Sequence, residues 1–161
     1  MAYNIPGRTS TLIELETLQT LVDDIGIHSI KDAVGDFEFS KKQLELLKDK
    51  VDIYSGNDNQ TYDFVINGGV GVVSVASHVV GDEISEMISF AKDNDLEKAE
   101  EINMQLSNLF EAIFEEPSPG PIKKILSESW EEVGEPLLPI TSITPELANK
   151  IRGFYKKIKE N

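Results

Sequence analysis

Ile25-Gly-Ile-His-Ser-Ile30, followed by Lys31-Asp-Ala-Val-Gly35, is the stretch on which the reading of the fold turns. Its β-branched residues predict a strand from Ile25 to Ile30, and Asp32-Ala-Val-Gly35 leads into a helical pattern carrying Phe37, Leu44 and Leu47. The same alternation appears on either side. Upstream, Met1-Ala-Tyr-Asn-Ile5 is a strand fragment, and Leu15, Leu18, Leu21 and Val22 mark an apolar helix face. Downstream, Val51-Asp-Ile-Tyr-Ser55 predicts a strand, and Asp58 is placed to cap a helix whose stripe is Tyr62, Val65 and Ile66. Gly68-Gly69 ends that helix and Val70-Gly-Val-Val-Ser-Val75 begins the next strand. The strands read as covered on both faces, as in parallel sheets.

Strand starts recur about every 20 to 27 residues, the length of a βα unit in a parallel sheet. This fits a barrel or a doubly wound sheet. No Gly-rich dinucleotide or phosphate loop occurs, so the barrel is the favoured reading. After Ser77 the pattern becomes helical. Ile84, Met87, Ile88 and Ala91 form one stripe, and Leu96, Ala99, Ile102, Leu106, Leu109 and Ile113 a longer one. Pro117-Ser-Pro-Gly-Pro121 is a rigid break before a shorter helix from Ile122 to Trp130. Thr144, with Pro145 after it, caps a last helix reaching about Lys159. The expected division is a βα half-barrel over 1–80 and, over 81–161, the last barrel helix with a C-terminal helical domain.

The 161 residues are 40% hydrophobic, enough for a packed core and against disorder. Twenty-nine acidic against 15 basic side chains give a net charge of −14. Such a surface repels phosphate backbones and anionic lipid, excluding nucleic acid and membrane as partners. Without cysteine there is no disulfide, thiolate metal site or cysteine nucleophile. No apolar run or leader pattern marks export, so a cytoplasmic location is expected.

Lys31 is the residue most suggestive of chemistry. At the C-terminal end of a strand in a parallel α/β fold it stands where ligands meet the protein. Desolvation there would lower its pKa and leave a neutral amine able to attack carbonyls. The bland alternative is a surface lysine beside its partner Asp32. Tyr3 ends the first strand fragment and Arg8 follows the Pro6-Gly7 bend, a phenol and a guanidinium able to relay a proton and clamp a carboxylate. Their bland counterparts are a packed aromatic and a solvated arginine. Ser55-Gly-Asn-Asp58 reads equally as a strand-end site or a turn with a helix cap. His28 and His78 lack ligand spacing, so no metal is expected. Glu100-Glu101 and Glu115-Glu116 read as solvated helix faces.

Four strings occur in order: Tyr3-Asn-Ile-Pro-Gly-Arg-Thr9, Ile30-Lys-Asp-Ala33, Tyr54-Ser-Gly-Asn-Asp58 and Gly68-Gly-Val-Gly-Val-Val-Ser-Val75. In this register they resemble the second half of the dihydrodipicolinate synthase family, which includes the N-acetylneuraminate lyases. Glu116-Pro-Ser-Pro-Gly-Pro-Ile-Lys123 and Leu137-Leu-Pro-Ile140 resemble its C-terminal helical domain, so the resemblance spans essentially the whole chain. It implies the C-terminal half of a TIM (β/α)8 barrel, strands five to eight, followed by helices.

By position, the resemblance makes Lys31 the Schiff-base lysine, Tyr3 the proton-relay tyrosine and Arg8 the cleft-entrance arginine that receives the aldehyde's carboxylate. Gly56 and the backbone carbonyl of Val73 would line the pocket. Val34 stands where relatives often carry threonine or serine. The implied reaction is a class I aldolase-type condensation of pyruvate with aspartate semialdehyde, on the route to diaminopimelate and lysine. It needs no cofactor beyond the imine on Lys31. The family's paired threonines, a tyrosine donated across a dimer interface and the main lysine-feedback residues have no counterpart here. Hence two expectations: this chain alone turns over poorly, and it associates, as a homo-oligomer or with an N-terminal half-barrel chain. The rival readings are another pyruvate-dependent aldolase of the family, or a non-catalytic truncated or split half-barrel.

Overall fold

The computed structural model describes residues 1–160. Four strands, β1 (Ala2–Asn4), β2 (Ser29–Asp32), β3 (Asp52–Ser55) and β4 (Gly71–Val72), form one parallel sheet in sequence order. Between them lie α1 (Pro6–Thr9), α2 (Leu15–Asp23), α3 (Phe37–Leu47), a 3-10 turn (Asp58–Gln60) and α4 (Thr61–Ile66). Then follow α5 (Ser77–Lys92), α6 (Leu96–Ala112), α7 (Gly120–Ser129) and α8 (Pro145–Lys159). The chain divides into two compact units: Met1–Ser74 with Ile88–Asp95, and Val75–Met87 with Leu96 onward.

The sheet unit is built on one face. Ile30 and Ile53 are buried with Leu18 and Val22 of α2, Leu44 and Leu47 of α3, Val51 and Phe64. Fully burying such a side chain is worth roughly 1.5–3 kcal/mol, so this cluster holds the helices to the sheet. Tyr3, Lys31 and Tyr54 alternate to the other face, where Tyr3 is 45% exposed and Lys31 and Tyr54 are half-buried. The expectation of strands covered on both faces is therefore corrected: only one face is packed within this chain.

The second strand is also shorter than its composition predicts. It begins at Ser29, because Gly26 takes a left-handed φ of 76° and Ile25 is exposed in the turn after α2. Lys31 lies inside β2, one residue before its end. Similarly, β4 is confined to two residues of the Val70–Val75 run. Asp58 does not cap α4; it opens the 3-10 turn, and the buried stripe is Thr61, Phe64 and Val65, with Ile66 exposed. The N-cap of α3 is Asp36, whose carboxylate accepts from the N–H groups of Glu38 and Phe39.

In the helical unit α6 and α7 pack against α8, and each helix buries an apolar stripe. Leu106, Leu109 and Phe110 of α6, Ile122 and Ile125 of α7, and Leu147 and Ile151 of α8 are buried, with Ile84 and Met87 from α5. Val80 interrupts α5 with φ −131° and ψ 39°. The proline-rich break ends inside α7, which begins at Gly120 with Pro121 in its first turn. Thr144 caps α8 as its sequence predicts, its hydroxyl accepting from the Leu147 N–H. The Glu116 carboxylate accepts from the backbone N–H and hydroxyl of the same threonine. No helix among the described residues is long and apolar enough to cross a membrane.

Candidate active site

The parallel register sets Tyr3, Lys31, Tyr54 and Gly71 in one row across the four strands. Because side chains alternate along a strand, the first three project from the open face near the C-terminal ends. The Lys31 Nζ sits 4.3 Å from the centroid of the Tyr3 ring, a cation–π contact when the amine is charged. Thus the lysine's neighbour is Tyr3, across the strand pair.

Asp32 is not that neighbour. It points to the packed face, is 2% exposed, and accepts from the Val34 N–H (2.9 Å), the Ser40 hydroxyl (2.8 Å) and the Gln43 amide (3.1 Å). Burial pushes its carboxyl above the usual carboxylate range; the three hydrogen bonds oppose the rise and the charge of Asp36 adds to it. The bland reading of a surface lysine paired with Asp32 is corrected on both counts.

The strand-end loops meet the row closely. The Gly56 N–H donates to the Asp32 carbonyl at 2.5 Å, and the Val73 N–H to the Ser55 carbonyl at 2.9 Å. A Cβ on Gly56 would stand 2.7 Å from the Ala33 Cβ, 2.8 Å from the Asp32 carbonyl oxygen and 3.0 Å from the Lys31 Cε. Only glycine lets this loop lie against the lysine side chain. The Ser55 hydroxyl donates to the Asn57 carbonyl and accepts the Asn57 N–H, closing the turn that carries Gly56.

The structure therefore brings Tyr3, Lys31 and Gly56 together, with Val73 on the loop hydrogen-bonded to the end of β3. Arg8 is exposed on the single turn of α1 that Pro6 opens after β1. Val34 contributes its backbone N–H to Asp32. Among the described residues no three His, Asp or Glu side chains gather as a metal site.

Asn4 and Ser40 also shape the strand ends, by hydrogen bonds that no local pattern marks. Asn4 is fully buried; its amide donates to the Ile13 carbonyl and its carbonyl oxygen accepts the Ile13 N–H. A polar residue alternating with Tyr3 was the available signal, but only the fold shows that it faces inward.

A family model described as the dihydrodipicolinate synthetase family matches residues 1–158. The chain is 43% identical over 158 residues to the 4-hydroxy-tetrahydrodipicolinate synthase of Microcystis aeruginosa, covering 98% of this chain and 53% of that protein. Against the synthase of Listeria monocytogenes it is 34% identical over 158 residues, with 98% and 54% covered. Among solved structures, dihydrodipicolinate synthase from Cyanidioschyzon merolae, with lysine bound, superposes with a TM-score of 0.92 at 35% identity, covering 98% of this chain and 53% of that one. The Bacillus anthracis enzyme gives 0.89 at 34% identity, covering 96% and 53%. The chain spans about half the length of the curated relatives it matches. Four parallel strands followed by helices, matched at this level, are the C-terminal half of a (β/α)8 barrel, and the chain belongs to the dihydrodipicolinate synthetase family.

Proposed function

We propose that this chain carries the imine-forming half of a 4-hydroxy-tetrahydrodipicolinate synthase site. The observation that carries the reading is the Lys31 amine held 4.3 Å from the Tyr3 ring at the C-terminal strand ends, in a chain matched by the family model from residue 1 to 158. The Lys31 amine, as its free base, must add to the ketone of pyruvate, and water leaves, giving an imine. The protonated imine nitrogen takes up the electron pair left when a methyl proton departs, forming an enamine. The enamine carbon attacks the aldehyde carbon of aspartate semialdehyde. The amine of the adduct then displaces Lys31 as the ring closes, returning the free lysine.

In this scheme the Tyr3 hydroxyl moves protons and Arg8 receives the carboxylate of the second substrate. Gly56 and the Val73 carbonyl line the pocket. No cofactor takes part, because the imine itself is the electron sink.

A second reading concerns completeness. The sheet has two edge strands, β1 and β4, and one face left open within the chain. Edge strands and uncovered faces favour association. The remaining strands would come from a second copy or from an N-terminal half-barrel, and the threonines that orient pyruvate would come with the latter. On this reading the isolated chain forms the imine but condenses poorly, since general acid–base assistance alone is worth roughly 10²–10⁴-fold.

Borohydride reduction with pyruvate and peptide mass mapping, beside a coupled synthase assay, tests both. A reduced pyruvate adduct on Lys31, with condensation near background until an N-terminal half is added, is expected. No adduct, or an adduct on another lysine, overturns the first reading; full turnover by the 161-residue chain overturns the second.

A further inference from the structure

One residue beyond the Tyr3–Lys31–Tyr54 row lies a second row, Asn4, Asp32 and Ser55, in register across the same three strands. All three are polar and buried, at 0%, 2% and 0% exposure, on the face otherwise filled by Ile30 and Ile53. Buried polar groups are costly unless their hydrogen bonds are made, and here each one ties down the loop that follows its own strand. Asn4 holds Ile13 through two bonds, Asp32 holds Val34, Ser40 and Gln43, and Ser55 holds Asn57 through two. An apolar residue at these positions would leave those partner groups unpaired and the loops unanchored.

Asp32 is the member of this row adjacent to Lys31, and its three bonds run to the following loop and across the first two turns of α3. Its own carbonyl accepts the Gly56 N–H, so the same residue sets where the β3 loop presses on the Lys31 side chain. We propose that Asp32 is a positioning residue for the Lys31 amine: its buried carboxylate anchors the end of β2 to α3 and thereby holds the amine over Tyr3. Its significance for imine formation rests on the function proposed above; the positioning itself does not.

Asp32→Asn keeps the size of the side chain but replaces one acceptor oxygen with a donor facing the Ser40 hydroxyl and the Gln43 amide. Ser40→Ala removes one bond and keeps the carboxylate. The double variant Asp32→Asn/Gln43→Glu exchanges the two ends of one hydrogen bond. All are compared as the full chain at a temperature where circular dichroism shows them folded.

Two readouts apply. The first is the upfield displacement expected of the Lys31 ε-methylene protons, whose carbon bears the Nζ that sits 4.3 Å from the Tyr3 ring centroid. The second is the rate and half-saturation of borohydride-trapped imine formation with pyruvate. In Asp32→Asn the displacement should fall by more than half. The trapping rate at saturating pyruvate should drop on the order of ten- to a hundredfold, the size expected of a misplacement near 1 Å, with half-saturation little changed. Ser40→Ala should show a smaller change of the same kind, and the exchange variant should recover toward wild type. A folded Asp32→Asn that keeps both the displaced resonance and the trapping rate overturns the proposal. Should Asp32→Asn fail to fold, Ser40→Ala decides in the same way. If the wild-type chain forms no adduct, the functional reading fails while the resonance position still decides whether Asp32 positions the amine.

Discussion

The two units of this chain solve burial differently. In the helical unit, α6 and α7 pack against α8, and Phe110 is 2% exposed, buried like Leu106, Leu109 and Ile151. In the sheet unit only one face of each strand is packed, and the other presents Tyr3 and Lys31. Phe110 and Tyr3 thus mean different things in the two units. The first ring is core; the second is available to a neighbouring amine. Chemistry requires the second arrangement, because a group buried on all sides cannot meet a substrate.

This contrast can be broken most directly with two truncations of similar size. Phe110→Ala should cost about 3–5 kcal/mol in urea denaturation, through lost burial and the cavity left behind. Tyr3→Ala should cost far less, because its ring is 45% exposed. Equal losses would mean that the open face is packed in solution. Gly56→Ala sharpens the comparison within the sheet unit. Its methyl meets Ala33, the Asp32 carbonyl and Lys31, and such overpacking costs about 1–3 kcal/mol. The same variant should slow imine trapping, which no equally destabilising change in α6 would do.

In the helical unit, Thr144→Ala removes the α8 cap and should lower stability by about 1 kcal/mol, a loss read as a shift in denaturation midpoint at unchanged slope. The smallest effect expected is one of pH. Hydrogen bonds from Arg152 at 2.7 and 2.8 Å hold the Glu128 carboxyl below its ordinary value. Its contribution is present above the unfolded value and fades as pH falls through the lowered one. Asp32 has the opposite sign. With its carboxyl raised by burial, its contribution is full below the unfolded value and is lost as pH rises through the raised one. Glu128→Gln and Asp32→Asn should therefore change the slope of stability against pH in opposite directions, the first as pH falls below the ordinary glutamate value and the second as pH rises above the ordinary aspartate value. Slopes of the same sign would refute the assignment of the two carboxyls.

The alternation of β-branched runs and helical stripes was legible because it is local. So were the Thr144 cap, the helices after Ser77 and the strings that place Lys31 beside a strand end. Composition could not tell that Ile25 belongs to a turn: isoleucine favours strands wherever it stands, and the left-handed Gly26 ends the pattern only once α2 has packed. The direction of Asp32 was equally hidden. Next to Lys31 in sequence, it is the natural ion partner; in the sheet the alternation of side chains sends the two to opposite faces. What the sequence determined by itself, then, was the kind of elements, their order and the residue types at the strand ends, since these follow from periodicity and local backbone preference. Which face of β2 is packed, that Tyr3 from a strand 28 residues away in register stands beside Lys31, and that Asn4, Asp32 and Ser55 form one buried row were decided only when parallel pairing brought distant segments side by side.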